Sequence, residues 1–111
     1  MTPETIVRVL DAMRKHPEFR TFYDALPIAG VDGSLKSRLK GTAAENNARA
    51  KTGTIRFVNT LSGYVTSKGG ERLAFSLLLN NYEGSGARTD LDTIVEMLAD
   101  ADREAPRPTA R

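Results

Sequence analysis

Lys51-Thr52-Gly53 is the short run in this chain whose residue types together form a binding device. The lysine ammonium supplies positive charge for a carboxylate, and the threonine supplies a hydroxyl donor to the same group. Glycine then removes a side chain, so a second backbone can lie flat against the strand. On an edge strand beside a cleft, such a triplet would hold the carboxylate end of a peptide. As a bare tripeptide it is more often the start of an ordinary strand, so its meaning rests on its surroundings.

Other residues carry weaker chemistry. Ser37-Arg38-Leu39-Lys40 fits a Ser-x-x-Lys pattern, in which a lysine one turn after a serine acts as its base. A reactive serine of that kind should open a buried helix. Ser37 stands instead in a Gly- and Asn-rich connection close to Lys51, so the match reads as chance. His16 falls at a helix end before Pro17, where its charge would favour the helix dipole from the surface. Arg49 and Arg56 flank the triplet, and either add positive field around a carboxylate or stand solvated at a strand edge. With one histidine and no cysteine, a zinc site is not expected, nor is any cofactor.

The elements that would position these residues follow from the pattern. Thr2-Pro3-Glu4 opens a helix with a hydroxyl cap, a proline in the first turn and an acid at the positive end of the dipole. Ile6, Val9, Leu10 and Met13 follow on one helical face, and Pro17 marks its end. Phe19, Phe22, Tyr23 and Leu26 form a second short amphipathic piece, read as core rather than as a ligand box. Residues 27–47 read as a long irregular connection rich in turn residues, with Leu35 and Leu39 as its only regularity. A structureless loop of that length is usually functional. From Arg49 the pattern turns to strands. Residues 61–66 alternate loosely, with Tyr64 read as core, and Ser67-Lys68-Gly69-Gly70 supplies a hairpin turn. Residues 73–79 are apolar at both parities, which describes a strand buried on both faces. Asn80-Asn81 ends it and residues 83–86 form a loop. Thr89-Asp90 caps a last helix carrying Leu91, Ile94, Val95 and Leu98, and residues 104–111 are a polar, flexible tail. The expected fold is α+β: about three antiparallel strands flanked by N- and C-terminal helices, in one small domain over residues 1–103.

Charge narrows the function classes. The net charge is +2 and the pI about 9.2. The excess lies in Lys36, Arg38, Lys40, Arg49, Lys51 and Arg56, opposed only by Glu45 in that stretch, while the C-terminal part is acidic. A local basic patch beside an acidic helix suits a small anionic ligand better than a nucleic-acid track. There is no basic recognition helix and no RNA-binding aromatic strand motif, so no nucleic-acid partner is expected. No apolar run approaches the roughly 18 residues of a membrane span. Met1-Thr2-Pro3-Glu4-Thr5 lacks the basic and apolar regions of a secretory signal, which leaves a cytoplasmic location open for the chain as it stands.

Several strings occur in a fixed order around the triplet: Leu26-Pro27-Ile28-Ala29-Gly30-Val31-Asp32-Gly33-Ser34-Leu35, Lys40-Gly41-Thr42, Arg49-Ala50-Lys51-Thr52-Gly53-Thr54, Leu61-Ser62-Gly63-Tyr64-Val65, Leu73-Ala74-Phe75-Ser76 and Asn80. Together they resemble the class C low-molecular-mass penicillin-binding proteins, the serine D-alanyl-D-alanine carboxypeptidases and endopeptidases of peptidoglycan. The resemblance runs from about residue 2 to residue 98. These enzymes carry Ser-x-x-Lys, Ser-x-Asn and Lys-Thr-Gly elements in that chain order. β-Lactamases share Lys-Thr-Gly, but the longer strings point to the carboxypeptidases.

The resemblance implies that Lys51 and Thr52 bind the substrate's terminal carboxylate, with Gly53 between strand and substrate. It implies that the backbone N–H of Thr54 completes the oxyanion hole. It also implies peptidoglycan peptides and β-lactams as ligands, and a periplasmic or cell-envelope setting. The family's Ser-x-x-Lys and Ser-x-Asn elements have no counterpart at matching positions. The chain is therefore expected to be the C-terminal portion of a β-lactamase/transpeptidase-like domain, truncated on its N-terminal side and inactive by itself, or else a non-catalytic remnant. The charge pattern leaves a small basic module for an anionic partner as the lesser alternative. Residues 73–79 fit the truncation: in the family's five-stranded sheet that strand is central, whereas three strands leave it at an edge open to self-association.

Overall fold

In the computed structural model, which describes residues 2–55, 58–80 and 86–102, the hydroxyl of Thr2 accepts the Thr5 N–H at 3.2 Å and starts helix α1 (Pro3–Arg14). Pro3 occupies the first turn, where a missing N–H costs nothing. The helix stops at Lys15, before Pro17. Helix α2 (Phe19–Ala25) follows, and its aromatic spacing buries Tyr23 completely enough to be core, with Phe19, Phe22 and Leu26 packed around it. His16 is exposed, and its Nδ1 accepts the Glu18 N–H at 3.0 Å. Its ring thus helps close the turn between the helices from the surface.

Strands β1 (Arg49–Ile55), β2 (Val58–Thr66) and β3 (Arg72–Asn80) form one antiparallel sheet in the order β1-β2-β3. Ile55 lies opposite Val58 and Arg49 opposite Tyr64. Val58 lies opposite Asn80 and Thr66 opposite Arg72. The Ser67–Glu71 turn is closed by the Ser67 N–H on the Glu71 oxygen at 2.8 Å, with Gly70 at φ +97°. Helices cover both faces. One face holds Tyr64 and Ala74 against Ile6, Leu10, Phe19, Phe22, Tyr23 and Leu26. The other holds Ala50, Leu61, Val65 and Phe75 against Leu91, Val95 and Ala99. Helix α3 (Gly86–Asp100) supplies those last three.

The strand buried on both faces is thus β2, through Leu61, Tyr64 and Val65. In β3 only Phe75 is buried, and Leu78 is 42% exposed, because β3 ends the sheet among the described residues. Gly63, opposite Ala50, is required by the closeness of β1: a Cβ there would overlap the Arg49 carbonyl oxygen and come within 2.6 Å of the Ala50 Cα.

Besides the reading of residues 73–79 as buried on both faces, two further expectations need correction. The last helix begins at Gly86 rather than at a Thr89-Asp90 cap, because Ala87 is fully buried and extends the Leu91, Val95, Ala99 stripe one turn upstream. Thr89 lies inside the helix, its carbonyl accepting the Thr93 hydroxyl at 2.9 Å. The 27–47 connection is not structureless. It contains a 3-10 turn (Gly33–Leu35) and buries Ala29, Leu35, Leu39 and Ala44 in the α3-side core. Arg38 in it pairs with Asp92 of α3 at 2.6 Å, both side chains mostly shielded. Arg56, Asn81, the 83–85 part of the expected loop and the 104–111 tail lie outside the described residues.

Candidate functional site

Among the described residues, the sheet leaves one side of β1 unpaired by another strand, and the Lys51–Thr54 run lies there. Only the start of this edge is covered. The Ala50 N–H donates to the Pro27 oxygen at 3.1 Å and the Ala29 N–H to the Ala48 oxygen at 2.9 Å, so residues 27–29 pair with β1 as far as Ala50. Successive residues of a strand present their N–H and C=O groups to opposite sides. Because Ala50 points away from β2, so do Thr52 and Thr54. The Thr54 N–H therefore faces the free edge, away from β2.

Lys51 and Gly53 turn their Cα substituents to the α1 side of the sheet, opposite Ser62 and Thr60. Lys51 is exposed, and its Nζ curls back to donate to the outward carbonyl of Thr52 at 2.9 Å. A ligand carboxylate would replace that neutral acceptor with a charged one, a stronger partner for an ammonium. At Gly53 a Cβ would meet the Thr60 Oγ1 at 2.5 Å, so glycine keeps the strand surface low beside the lysine. The Thr54 hydroxyl is taken by Asn59 Oδ1 at 3.2 Å, which leaves its main chain as the group available to a ligand.

Two features beside the triplet were not apparent from spacing. Thr52 Oγ1 donates to Ser34 Oγ at 3.1 Å, bringing the 3-10 turn onto the motif. An open cavity of about 400 Å³ adjoins Lys51 and Thr52, with apolar walls from Ile6, Leu10, Phe22 and Leu26. The aromatic piece read as core thus also lines a recess next to the cation. The signal for Ser34 was only its place in the Asp32-Gly33-Ser34 turn, and the recess needed tertiary contacts to exist.

The flanking arginine behaves differently from both expectations for it. Arg49 Nη1 pairs with Asp24 at 3.2 Å, and its guanidinium lies 4.4 Å from the Tyr23 ring centroid. Arg72 covers the same ring at 4.8 Å. Arg49 is therefore neither a free field source nor solvated; it fastens α2 to the start of β1. A second depression, of about 610 Å³, lies at that end with Arg49, Lys68 and Asp100 in its wall, away from the Lys51 edge. Ser37 and Lys40 are both exposed, and Leu39 between them has φ 63°. A left-handed residue breaks the helical turn that would carry a lysine over its serine.

The sequence model of the D-Ala-D-Ala carboxypeptidase 3 (S13) family matches residues 1–101. A D-alanyl-D-alanine carboxypeptidase of Actinomadura sp. (strain R39) is 40% identical over 112 residues, covering 96% of this chain and 21% of that protein. The D-alanyl-D-alanine carboxypeptidase DacB of Haemophilus influenzae is 34% identical over 84 residues, covering 74% of this chain and 18% of the relative. The crystal structure of penicillin binding protein 4 from Haemophilus influenzae superposes with a TM-score of 0.71 at 33% identity, over 77% of this chain and 19% of that one. The predatory endopeptidase Bd3459 of Bdellovibrio bacteriovorus shares the fold, with a TM-score of 0.73 at 22% identity. The chain spans about a fifth of the length of the curated relatives it matches. No helix among the described residues is long and apolar enough to cross a membrane.

Proposed function

Since the chain belongs to the D-Ala-D-Ala carboxypeptidase 3 (S13) family, we propose that it supplies the substrate-recognition strand of a serine D-alanyl-D-alanine carboxypeptidase or endopeptidase acting on peptidoglycan stem peptides. The observation that carries this is the free edge of β1, with the Thr54 N–H directed outward just beyond Lys51, Thr52 and Gly53.

In this reading Lys51 leaves the Thr52 carbonyl to hold the terminal carboxylate of the D-alanyl-D-alanine end, and the Thr52 hydroxyl donates to the same group. The substrate backbone runs along β1 over Gly53. The scissile carbonyl oxygen then lies at the Thr54 N–H, which stabilises the negative charge that develops on it as a serine attacks. β-Lactams, which carry a carboxylate and a strained acyl group, fit the same edge. The nucleophilic serine and its lysine base come from a Ser-x-x-Lys segment, and a Ser-x-Asn element accompanies it. Ser37 and Lys40 do not supply them, and we propose that this chain does not become acylated by itself. The reading sets the site in the bacterial cell envelope, where its substrate occurs. The Arg38–Asp92 and Arg49–Asp24 pairs remove two cations from the basic patch, which disfavours a general polyanion-binding module. In the absence of further strands, the open edge of β3 pairs with a second copy of the chain.

The test is covalent labelling by a fluorescent penicillin, run on the chain and on Ser37→Ala. The expected result is no label on either. A label on the chain that vanishes in Ser37→Ala would make Ser37 the nucleophile and overturn the assignment of roles.

A further inference from the structure

We infer that Ser34 is a positioning residue of the carboxylate site, acting through the hydroxyl of Thr52; this rests on the carboxylate-binding role proposed for Lys51 and Thr52. Ser34 is held where the covered part of the β1 edge gives way to the free part. Residues 27–29 occupy the edge up to Ala50, and the next outward residue is Thr52. From there the chain turns back through a set of bonds that leave it little freedom. The Ile28 N–H donates to Asp32 Oδ1 at 2.8 Å, and the Gly30 N–H to the Leu35 oxygen at 2.9 Å. Gly33 takes φ +57°, with Pro27 so close that a Cβ would lie 3.1 Å from its Cβ. Leu35 is fully buried. Ser34, between that glycine and that anchor, presents its Oγ to Thr52 Oγ1 at 3.1 Å.

The chemistry of two hydroxyls gives this contact a function. Each has one proton to donate and two lone pairs to accept with. Without ligand, Thr52 spends its proton on Ser34. It cannot give the same proton to a carboxylate. When a carboxylate binds, the pair reverses: the Ser34 proton turns to Thr52 Oγ1, and the Thr52 proton turns to the ligand. No bond to hydrogen is broken, since both hydroxyls only rotate. The resulting chain, from Ser34 to Thr52 to carboxylate, polarises in one direction, so each bond strengthens the other. Ser34 also fixes the Thr52 rotamer that aims the hydroxyl at the ligand.

Two measurements on the full chain test this. The first needs no ligand: three-bond NMR couplings that report the Thr52 χ1 rotamer in the chain, in Ser34→Ala and in Ser34→Thr. One rotamer is expected in the chain and in Ser34→Thr, and averaging in Ser34→Ala. The second is a titration with N-acetyl-D-alanyl-D-alanine followed at the Lys51–Thr54 amides. Ser34→Ala should weaken binding by about three- to tenfold, the worth of one hydrogen bond, and Ser34→Thr should restore it. On a Thr52→Val background, Ser34→Ala should change nothing further, because its effect passes through Thr52. An unchanged Thr52 rotamer in Ser34→Ala, or additive losses in the double variant, would overturn the inference. If the peptide shifts none of these amides even in the unmodified chain, it is the carboxylate reading that fails, while the couplings still decide whether Ser34 sets Thr52.

Discussion

The phenol of Tyr64, in the middle strand, donates to the main-chain oxygen of Leu10 across 2.6 Å of buried space. This bond ties β2 to α1 on the face that carries Lys51, and it is made in a cluster of rings. Phe19 meets Tyr64 edge-on with centroids 5.5 Å apart. Burial of the phenol disfavours its ionised form and holds its pKa above the ordinary 10.0, although the nearby Arg72 pulls the other way.

Tyr64→Phe should therefore cost about 1 kcal/mol of stability, since it removes one hydrogen bond while keeping the ring. The pH dependence has a definite sign. The folded state prefers the protonated phenol, so this contribution is complete below the ordinary pKa and is lost as pH rises through the raised one. Denaturant unfolding between about pH 8 and pH 11, compared with the ordinary tyrosine value near 10, should show the parent losing its advantage over Tyr64→Phe at the alkaline end. A stability difference that stays constant across that range would refute the linkage.

The Arg38–Asp92 pair joins the 27–47 connection to α3 through two side chains that are 16% and 20% exposed. Removing either partner leaves a charge that is poorly solvated, so Arg38→Ala and Asp92→Ala should each cost about 1.5–3 kcal/mol. The double variant should be less unstable than the sum of the two. Thermal melts that show simple additivity would mean that the pair contributes no coupling.

Those two elements also show what the sequence could and could not announce. The Thr2 cap, the aromatic spacing of α2, the Gly70 turn and the three strands were legible because each is set by residues near one another in the chain. The start of α3 was misjudged because Thr89-Asp90 spells a good cap, while the burial of Ala87, which lengthens the helix, depends on the sheet beneath it. The connection looked irregular because its order comes from positive φ at Gly30, Gly33, Leu39 and Asn46 and from side chains bonding main chain, none of which is periodic. Arg49 looked free because its partner Asp24 lies 25 residues away. That Lys51, Thr52, Gly53 and Thr54 share one strand was legible from their adjacency; that Ser34 touches Thr52 was not.

The glycines of β1 and β2 should behave in opposite ways. At Gly63 an added Cβ runs into the Arg49 carbonyl and the Ala50 backbone, neither of which can move without parting β1 from β2. Gly63→Ala should cost about 2–3 kcal/mol or more, as overpacking against a fixed partner does. At Gly53 the obstacle is the end of the Thr60 side chain, which can rotate away. Gly53→Ala should keep most of the stability yet lose binding of N-acetyl-D-alanyl-D-alanine, because the methyl occupies the surface that substrate backbone needs. Equal losses of stability in the two variants would contradict this division.

The edge of β3 carries the last prediction. Ladder alternation carried across from β1 turns the N–H groups of Arg72, Ala74, Ser76, Leu78 and Asn80 away from β2, and Ser76 is the middle residue of the strand. A two-fold axis through Ser76 sets Phe75 opposite Leu77 and Leu73 opposite Leu79 of the second copy, apolar against apolar on one face. Ala74 meets Leu78 on the other. Such a pattern is self-complementary in the way an isologous contact requires, and an apolar edge without a charge in its middle does little to prevent it. Sedimentation should show concentration-dependent dimerisation. Leu78→Lys should abolish it, since the lysine would face the apolar strand of the partner. Ser76→Pro should also abolish it while leaving the fold intact, because the N–H it removes points outward from an edge strand. A parent chain that stays monomeric at the highest accessible concentration, or a dimer indifferent to both substitutions, would rule out pairing along this edge.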